Sequence, residues 1–226
     1  MVSQFVSDLH GVLSPDRLEA YRPANGTDLE MLTNYFWNID LAETIVPSLH
    51  AAELALRNSV HTALSDFYNT DMWFYQPGVL DSGELSQVAR ALGKAAQTPP
   101  LRSGRMVAAL AFGFWVALLA GRYEQRIWQP NNFALLGSVF PNAVGYSSKQ
   151  IHERFKTILE LRNRVFHYEA IWHRPSLLQE HQNIHEAIRW ISPTLGNAIL
   201  AVDNFPAALN GKAQVQADLK KHLGIP

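Results

Sequence analysis

The chain reads as an all-α protein, a bundle of helices of mixed length, and three observations predict that class. Apolar residues recur at three- and four-residue spacings through long stretches of its 226 residues. Helix-start and helix-stop signatures separate those stretches. No segment carries the alternating pattern of a strand, and there is no visible repeat period, glycine-rich phosphate loop or G-x-S-x-G elbow. Hydrophobic residues at 47% and charged residues at 17% fit an ordinary buried core. The length suffices for one large domain or two small ones, and a single helical domain over residues 1–226 is the organisation expected.

In chain order, the N-terminus from Met1 to Asp8 lacks the basic start and apolar centre of a signal peptide, so no export is expected. Ser14 and Pro15 have the N-cap and N1 form of a short helix start. Thr27 and Glu30 fit a capping box, from which a helix should run to about Asp40 and a second to about Tyr68, with Pro47 kinking the path or starting the second. In that second helix Leu49, Leu56, Val60, Ala63 and Phe67 make a core stripe. Asn69 to Asp81 reads as a loop with Trp73, Phe74 and Tyr75 as anchors. Ser82 to about Gln97 is helical and stopped by Pro99 and Pro100; Ser103 then opens the most buried helix, Met106 to Leu119. The apolar run Val107 to Gly121 is short of the roughly 20 residues that cross a bilayer, so a buried helix in a soluble, cytoplasmic protein is expected, with no membrane association.

Asn131 to Tyr146 reads as mostly loop with a short helical turn. Ser147 and Ser148 cap a long helix that Arg174 and Pro175 end. Ser176 to Ile191, Pro193 to Val202 and Ala213 to Leu223 complete the helices.

A net charge of −1 and a pI near 6.8 exclude a broadly basic nucleic-acid binder but leave room for a local basic site. Without cysteine there is no disulfide, thiolate nucleophile or cysteine zinc site, which fits a reducing compartment. His181 and His185 form an H-x-x-x-H pair, but the third ligand and the glutamate position of the zinc-protease motif are missing, so no metal and no cofactor are assigned.

The chemistry concentrates in the long late helix, where Arg162, Asn163 and His167 spell R-N-x-x-x-H. Over residues 148 to 172, Ile158, Leu161, Val165, Tyr168 and Trp172 form a core stripe, while Glu160, Asn163, Arg164 and His167 line up at i, i+3, i+4 and i+7. Arg162 lies roughly 140° around the helix from His167. To serve one site, the two need the reach of Arg162, a bend, or a second copy of the chain. An imidazole can move a proton and a guanidinium can hold a phosphate, a combination suited to metal-free cleavage of RNA through its own 2′-hydroxyl. The other reading is a solvated Arg164–Glu160 pair with His167 an ordinary surface or cap residue. A second row, Glu53, Arg57 and His61 with Asn58 alongside, sits beside the core stripe of the earlier helix and reads either as a structural ion-pair row or as a second polar wall of a site.

Arg162, Asn163 and His167 resemble the R-(polar)-x(3)-H signature of HEPN domains, helical domains many of which are metal-independent ribonucleases. Glu53, Arg57, Asn58 and His61, together with Phe112 to Trp115 and Arg122 to Glu124, resemble the bacterial Abi-like (abortive infection) family within that group, over roughly residues 14–202. The resemblance implies a HEPN-like bundle with additional helices, acting as an RNA-cleaving phage-defence or toxin–antitoxin protein. It also implies a homodimer whose motif helices meet, with an antitoxin or regulatory protein as a further partner. In it His167 is the general acid or base, Arg162 the phosphate ligand and Asn163 an orienting residue. Glu53, Arg57, Asn58, His61 and Arg164 are then supporting or substrate-binding. The competing expectation is a non-catalytic module that binds RNA, a nucleotide or a partner protein.

Overall fold

The computed structural model describes residues 4–97, 100, 102–130 and 132–224. Met1 to Ser3, the Pro99 stop and Asn131 lie outside the described residues. Among the described residues there are thirteen α-helices and no strand. A short helix not anticipated from sequence, α1 (Gln4–Leu9), precedes α2 (Pro15–Glu19), where Ser14 Oγ accepts the Arg17 amide at 3.3 Å and Pro15 occupies N1. The capping box is formed as read: Glu30 accepts the Thr27 amide at 2.7 Å and the Glu30 amide donates to Thr27 Oγ1 at 3.2 Å.

From that box runs α3 (Asp28–Tyr68), one helix of 41 residues where two were expected, with Pro47 inside it. Proline removes one amide from the ladder. That single loss is outweighed because buried apolar residues continue on both sides of it, Leu41 and Ile45 before, Leu49, Leu56 and Val60 after. The expected stripe fails at its last member, since Phe67 is exposed and Leu64 is buried in its stead.

Next come the aromatic 3₁₀ turn Trp73–Tyr75 and α4 (Ser82–Ala95). The single buried helix expected from Ser103 is instead α5 (Ser103–Ala109) and α6 (Phe112–Leu118). Leu110 turns extended, with ψ 130°, at a place with no proline or glycine to signal it. The turn lets Leu110, Phe112, Phe114 and Trp115 all be buried, which a straight helix with one apolar face does not allow. A short α7 (Gly121–Tyr123) leads into a π-turn at Glu124–Trp128, and α8 (Ala134–Val139) is the short helical turn expected in the following loop.

The remaining helices are α9 (Ser148–Phe166), α10 (Leu177–Ile191), α11 (Pro193–Ala198), α12 (Phe205–Asn210) and α13 (Lys212–Leu223). Ser147 opens α9 in a second capping box, exchanging hydrogen bonds with Gln150. No helix among the described residues is long and apolar enough to cross a membrane.

The chain divides into two compact units, one of residues 1–47, 161–181 and 202–226, the other of residues 48–160 and 182–201. In the first, Val6, Leu18, Met31 and Leu32 are fully buried with Tyr21 and Tyr35, and Phe36, Trp172 and Leu219 pack on them. In the second, Trp73, Phe74, Phe114, Trp115 and Trp128 are fully buried. Burying a large apolar side chain contributes about 1.5–3 kcal/mol. Of the indoles in this aromatic core, Trp128 donates to the Leu118 carbonyl at 2.7 Å, whereas the Trp115 N–H is buried without a hydrogen-bond partner among the described residues.

Candidate functional site

The R-N-x-x-x-H segment occupies the last turns of α9 and the residues just beyond. The helix was expected to continue to Arg174, but it ends at Phe166. The Glu169 amide donates to the Arg164 carbonyl at 2.9 Å and the Tyr168 amide to that of Val165 at 3.1 Å. Those bonds make a Schellman termination in which His167 is the C-cap and Tyr168 takes the left-handed position at φ 59°. Glycine normally sits there; a side chain in that region costs roughly 1–2 kcal/mol.

Contacts distant in sequence hold this strained end in place. Arg17 Nη2 donates to the Tyr168 carbonyl at 3.0 Å, and Arg164 pairs forward with Glu169 at 3.1 Å. Buried Asn38 of α3 accepts the amides of Ile171 and Trp172 at 2.6 and 3.1 Å, so the chain turns away from the helix axis. The expected stripe is therefore cut short: Ile158, Leu161 and Val165 are buried, whereas Tyr168 is 74% exposed.

Within this end, Arg162 and Asn163 touch through their side chains, and His167 is tied to them through its backbone amide. The Arg162 guanidinium lies 4.4 Å from the Phe166 ring centre, and its Nη1 makes a long 3.5 Å contact with Asn163 Oδ1. The Asn163 carbonyl accepts the His167 amide at 2.9 Å, tying the cap backbone to the motif. Glu160, Asn163, Arg164 and His167 are all exposed, and Arg162 is half-buried. The Phe166 ring lies against the guanidinium, whose Nε is buried.

Beside it is a cavity of about 470 Å³, lined within the first unit by Phe166 and Tyr168, the residues flanking His167, and by Arg17, Tyr35 and Glu43 among others. Sequence reading missed this cavity, because its walls come from α2, α3, the end of α9 and the loop after it. Glu43 and Arg17 carry no local signal that distinguishes them from other surface charges.

The second row belongs to the other unit. His61 is half-buried, stacks on Phe74 with ring centres 5.9 Å apart, and accepts the Trp73 indole N–H on Nδ1 at 3.1 Å. Burial holds its pKa below 6.5, against a weaker opposing pull from Asp71. With Nδ1 an acceptor, the ring is neutral and carries its proton on Nε2. Arg57 Nε bonds Asn58 Oδ1 at 3.3 Å, Asn58 is exposed and Glu53 is half-buried beside the stripe. His61 thus helps anchor the aromatic turn, which favours the structural reading of that residue.

Two polar networks were not foreseen as such. Buried Glu84 accepts the Tyr123 hydroxyl at 2.6 Å and pairs with Arg122 at 2.7 Å, while Tyr123 Oη accepts the Asp81 amide at 3.1 Å. Every member is partnered, as a buried charge requires, so this network ties α4 to α7. Elsewhere Glu186 joins the Tyr146 hydroxyl to Arg154, whose guanidinium lies over Trp190. Of the H-x-x-x-H pair, His181 bonds Asp203 at 3.0 Å and stacks on Phe205, and His185 Nε2 lies 3.1 Å from Ser48 Oγ.

Comparison of the chain with protein-family models, with curated proteins and with solved structures finds no match.

Proposed function

We propose that this chain is a metal-independent endoribonuclease of the abortive-infection or toxin–antitoxin kind, acting on RNA in the cytoplasm as a homodimer. The observation that supports this reading is the grouping of Arg162, Asn163 and exposed His167 at one helix end whose backbone is fixed by hydrogen bonds from outside the helix. In the proposed reaction His167 takes the proton of the ribose 2′-hydroxyl as that oxygen attacks the phosphorus. The bond from phosphorus to the 5′-oxygen breaks, His167 returns the proton to that departing oxygen, and a 2′,3′-cyclic phosphate remains. Arg162 holds the phosphate and balances the charge that grows on it. Asn163 positions the Arg162 guanidinium and the His167 backbone, and Arg164, Glu53, Arg57, Asn58 and His61 are supporting positions. The second reading, a binding module without catalysis, draws on the aromatic cavity beside His167, which can hold a ligand without cutting it.

Incubation with single-stranded and structured RNA in EDTA tests the first reading. The native chain is expected to leave 2′,3′-cyclic phosphate ends, and Arg162→Ala and His167→Ala each to lose about 100-fold or more in rate. His167→Ala should melt within about a degree of the native protein, since its side chain is exposed. Intact RNA across these substrates transfers the assignment to the binding module.

A further inference from the structure

The cavity beside His167 has walls of two kinds. Phe166 and Tyr168 hold ring surface in solvent, 46% and 74% exposed, one on each side of the proposed general acid–base. Each is fixed by a contact that does not bury it: Arg162 lies over Phe166, and the Schellman bonds with Arg17 hold Tyr168 in the left-handed region. Strained positions of this kind concentrate at ligand clamps. The polar part is Glu43 from α3, with three groups already engaged: Glu169 by Arg164, Arg17 on the Tyr168 carbonyl, and Asn38 on the Ile171 and Trp172 amides. Its volume, about 470 Å³, is within the roughly 300–1,000 Å³ of sites for small ligands.

Exposed rings that a planar group can stack on, next to a group that handles phosphate, match an unpaired base of a single strand. We infer that the cavity seats one unpaired base of the RNA next to the scissile phosphate, and that guanine is the base it favours. The selection comes from Glu43. A carboxylate only accepts, and can take two hydrogen bonds side by side. Guanine presents N1–H and the N2 amino group on one edge, adenine and cytosine present one amino group there, and uracil presents a single N–H. The seat deepens the ribonuclease reading and rests on it.

The test separates the two. Hexamers of 2′-O-methyl uridine, in which the attacking hydroxyl is blocked, are titrated into the full chain with and without one central 2′-O-methyl guanosine, reading fluorescence anisotropy. The native chain is expected to bind the guanosine-containing hexamer about tenfold more tightly. Tyr168→Gly, which keeps the left-handed turn and removes only the ring, should weaken both hexamers without lowering the melting temperature. Glu43→Gln should erase the guanosine preference while retaining binding. Equal affinity for the two hexamers in the native chain, or a preference that survives in Glu43→Gln, overturns the base seat. If RNA cleavage depends on His167 while the preference is absent, only the seat is lost. If the preference is present and RNA stays intact, the seat stands and the catalytic reading falls.

Discussion

Tyr168 carries the clearest residue-scale conflict between local preference and position. Its φ of 59° is a glycine conformation, and the side chain recovers little by burial because it is largely exposed. Tyr168→Gly is therefore expected to stabilise the chain by about 1 kcal/mol, measured by denaturant titration; a loss of stability would mean that the ring makes compensating contacts. Histidines set a second prediction. Burial holds His61, His152 and His181 below the ordinary 6.5, and for His181 it does so against the pull of Asp203. Below pH 6.5 the unfolded chain consequently binds more protons than the folded one, so stability is complete above about pH 6.5 and declines as the pH falls through the lower folded pKa values. A melting temperature that is flat between pH 7 and 5.5 would contradict this. What was legible at this scale was whatever closes within a turn of chain, such as Ser14 with Arg17 and Thr27 with Glu30. That His61 accepts from Trp73 was not, because twelve residues separate them and nothing in either sequence neighbourhood names the other.

At the scale of elements, the end of α9 shows why helix boundaries resist sequence reading. Periodicity runs on through Tyr168 and Trp172, and no glycine or proline intervenes before Pro175. The stop is imposed by Asn38, 133 residues from Ile171 in sequence, which accepts two consecutive amides at once. Asn38→Ala leaves both amides unsatisfied in or near a core, and a cost of about 2 kcal/mol or more is expected. That corresponds to a fall of about 4 °C or more in melting temperature for a chain of this size. A change of under a degree would show that water replaces the side chain. The break between α5 and α6 has the same origin, since burial of Leu110, Phe112 and Trp115 decides it and no local signal does. Pro47 is the converse case: the local signal for a break is strong and the helix runs through it.

For the molecule as a whole, the all-helical class was legible because the 3.6-residue period recurs in so many segments, and helices alone make up the regular structure of the described residues. The motif Arg162, Asn163 and His167 was legible too, as a string, but its placement at a helix end and the cavity beside it were not. About five residues of helix separate the guanidinium and the imidazole by roughly 140°, and this angle motivates the proposed homodimer. In such a dimer Arg162 of one copy serves His167 of the other. Mixing Arg162→Ala with His167→Ala, each inactive alone, is then expected to restore part of the RNA-cleaving rate, because a mixed pair contains one intact Arg–His combination. Persistent inactivity of the mixture, with mixed pairs demonstrated by sedimentation of differently tagged chains, would place both groups of a site in one copy.

The Schellman bonds at the end of α9 also provide a reporter. The amides of Tyr168 and Glu169 are protected only while that cap is closed, and helix ends open far more often than the global unfolding equilibrium requires. Their deuterium uptake therefore measures the opening of the His167 cap itself, amide by amide, in the intact protein. An oligonucleotide seated beside the cap would slow both amides together and leave those of α13 untouched, giving a footprint of occupancy that needs no turnover to be seen.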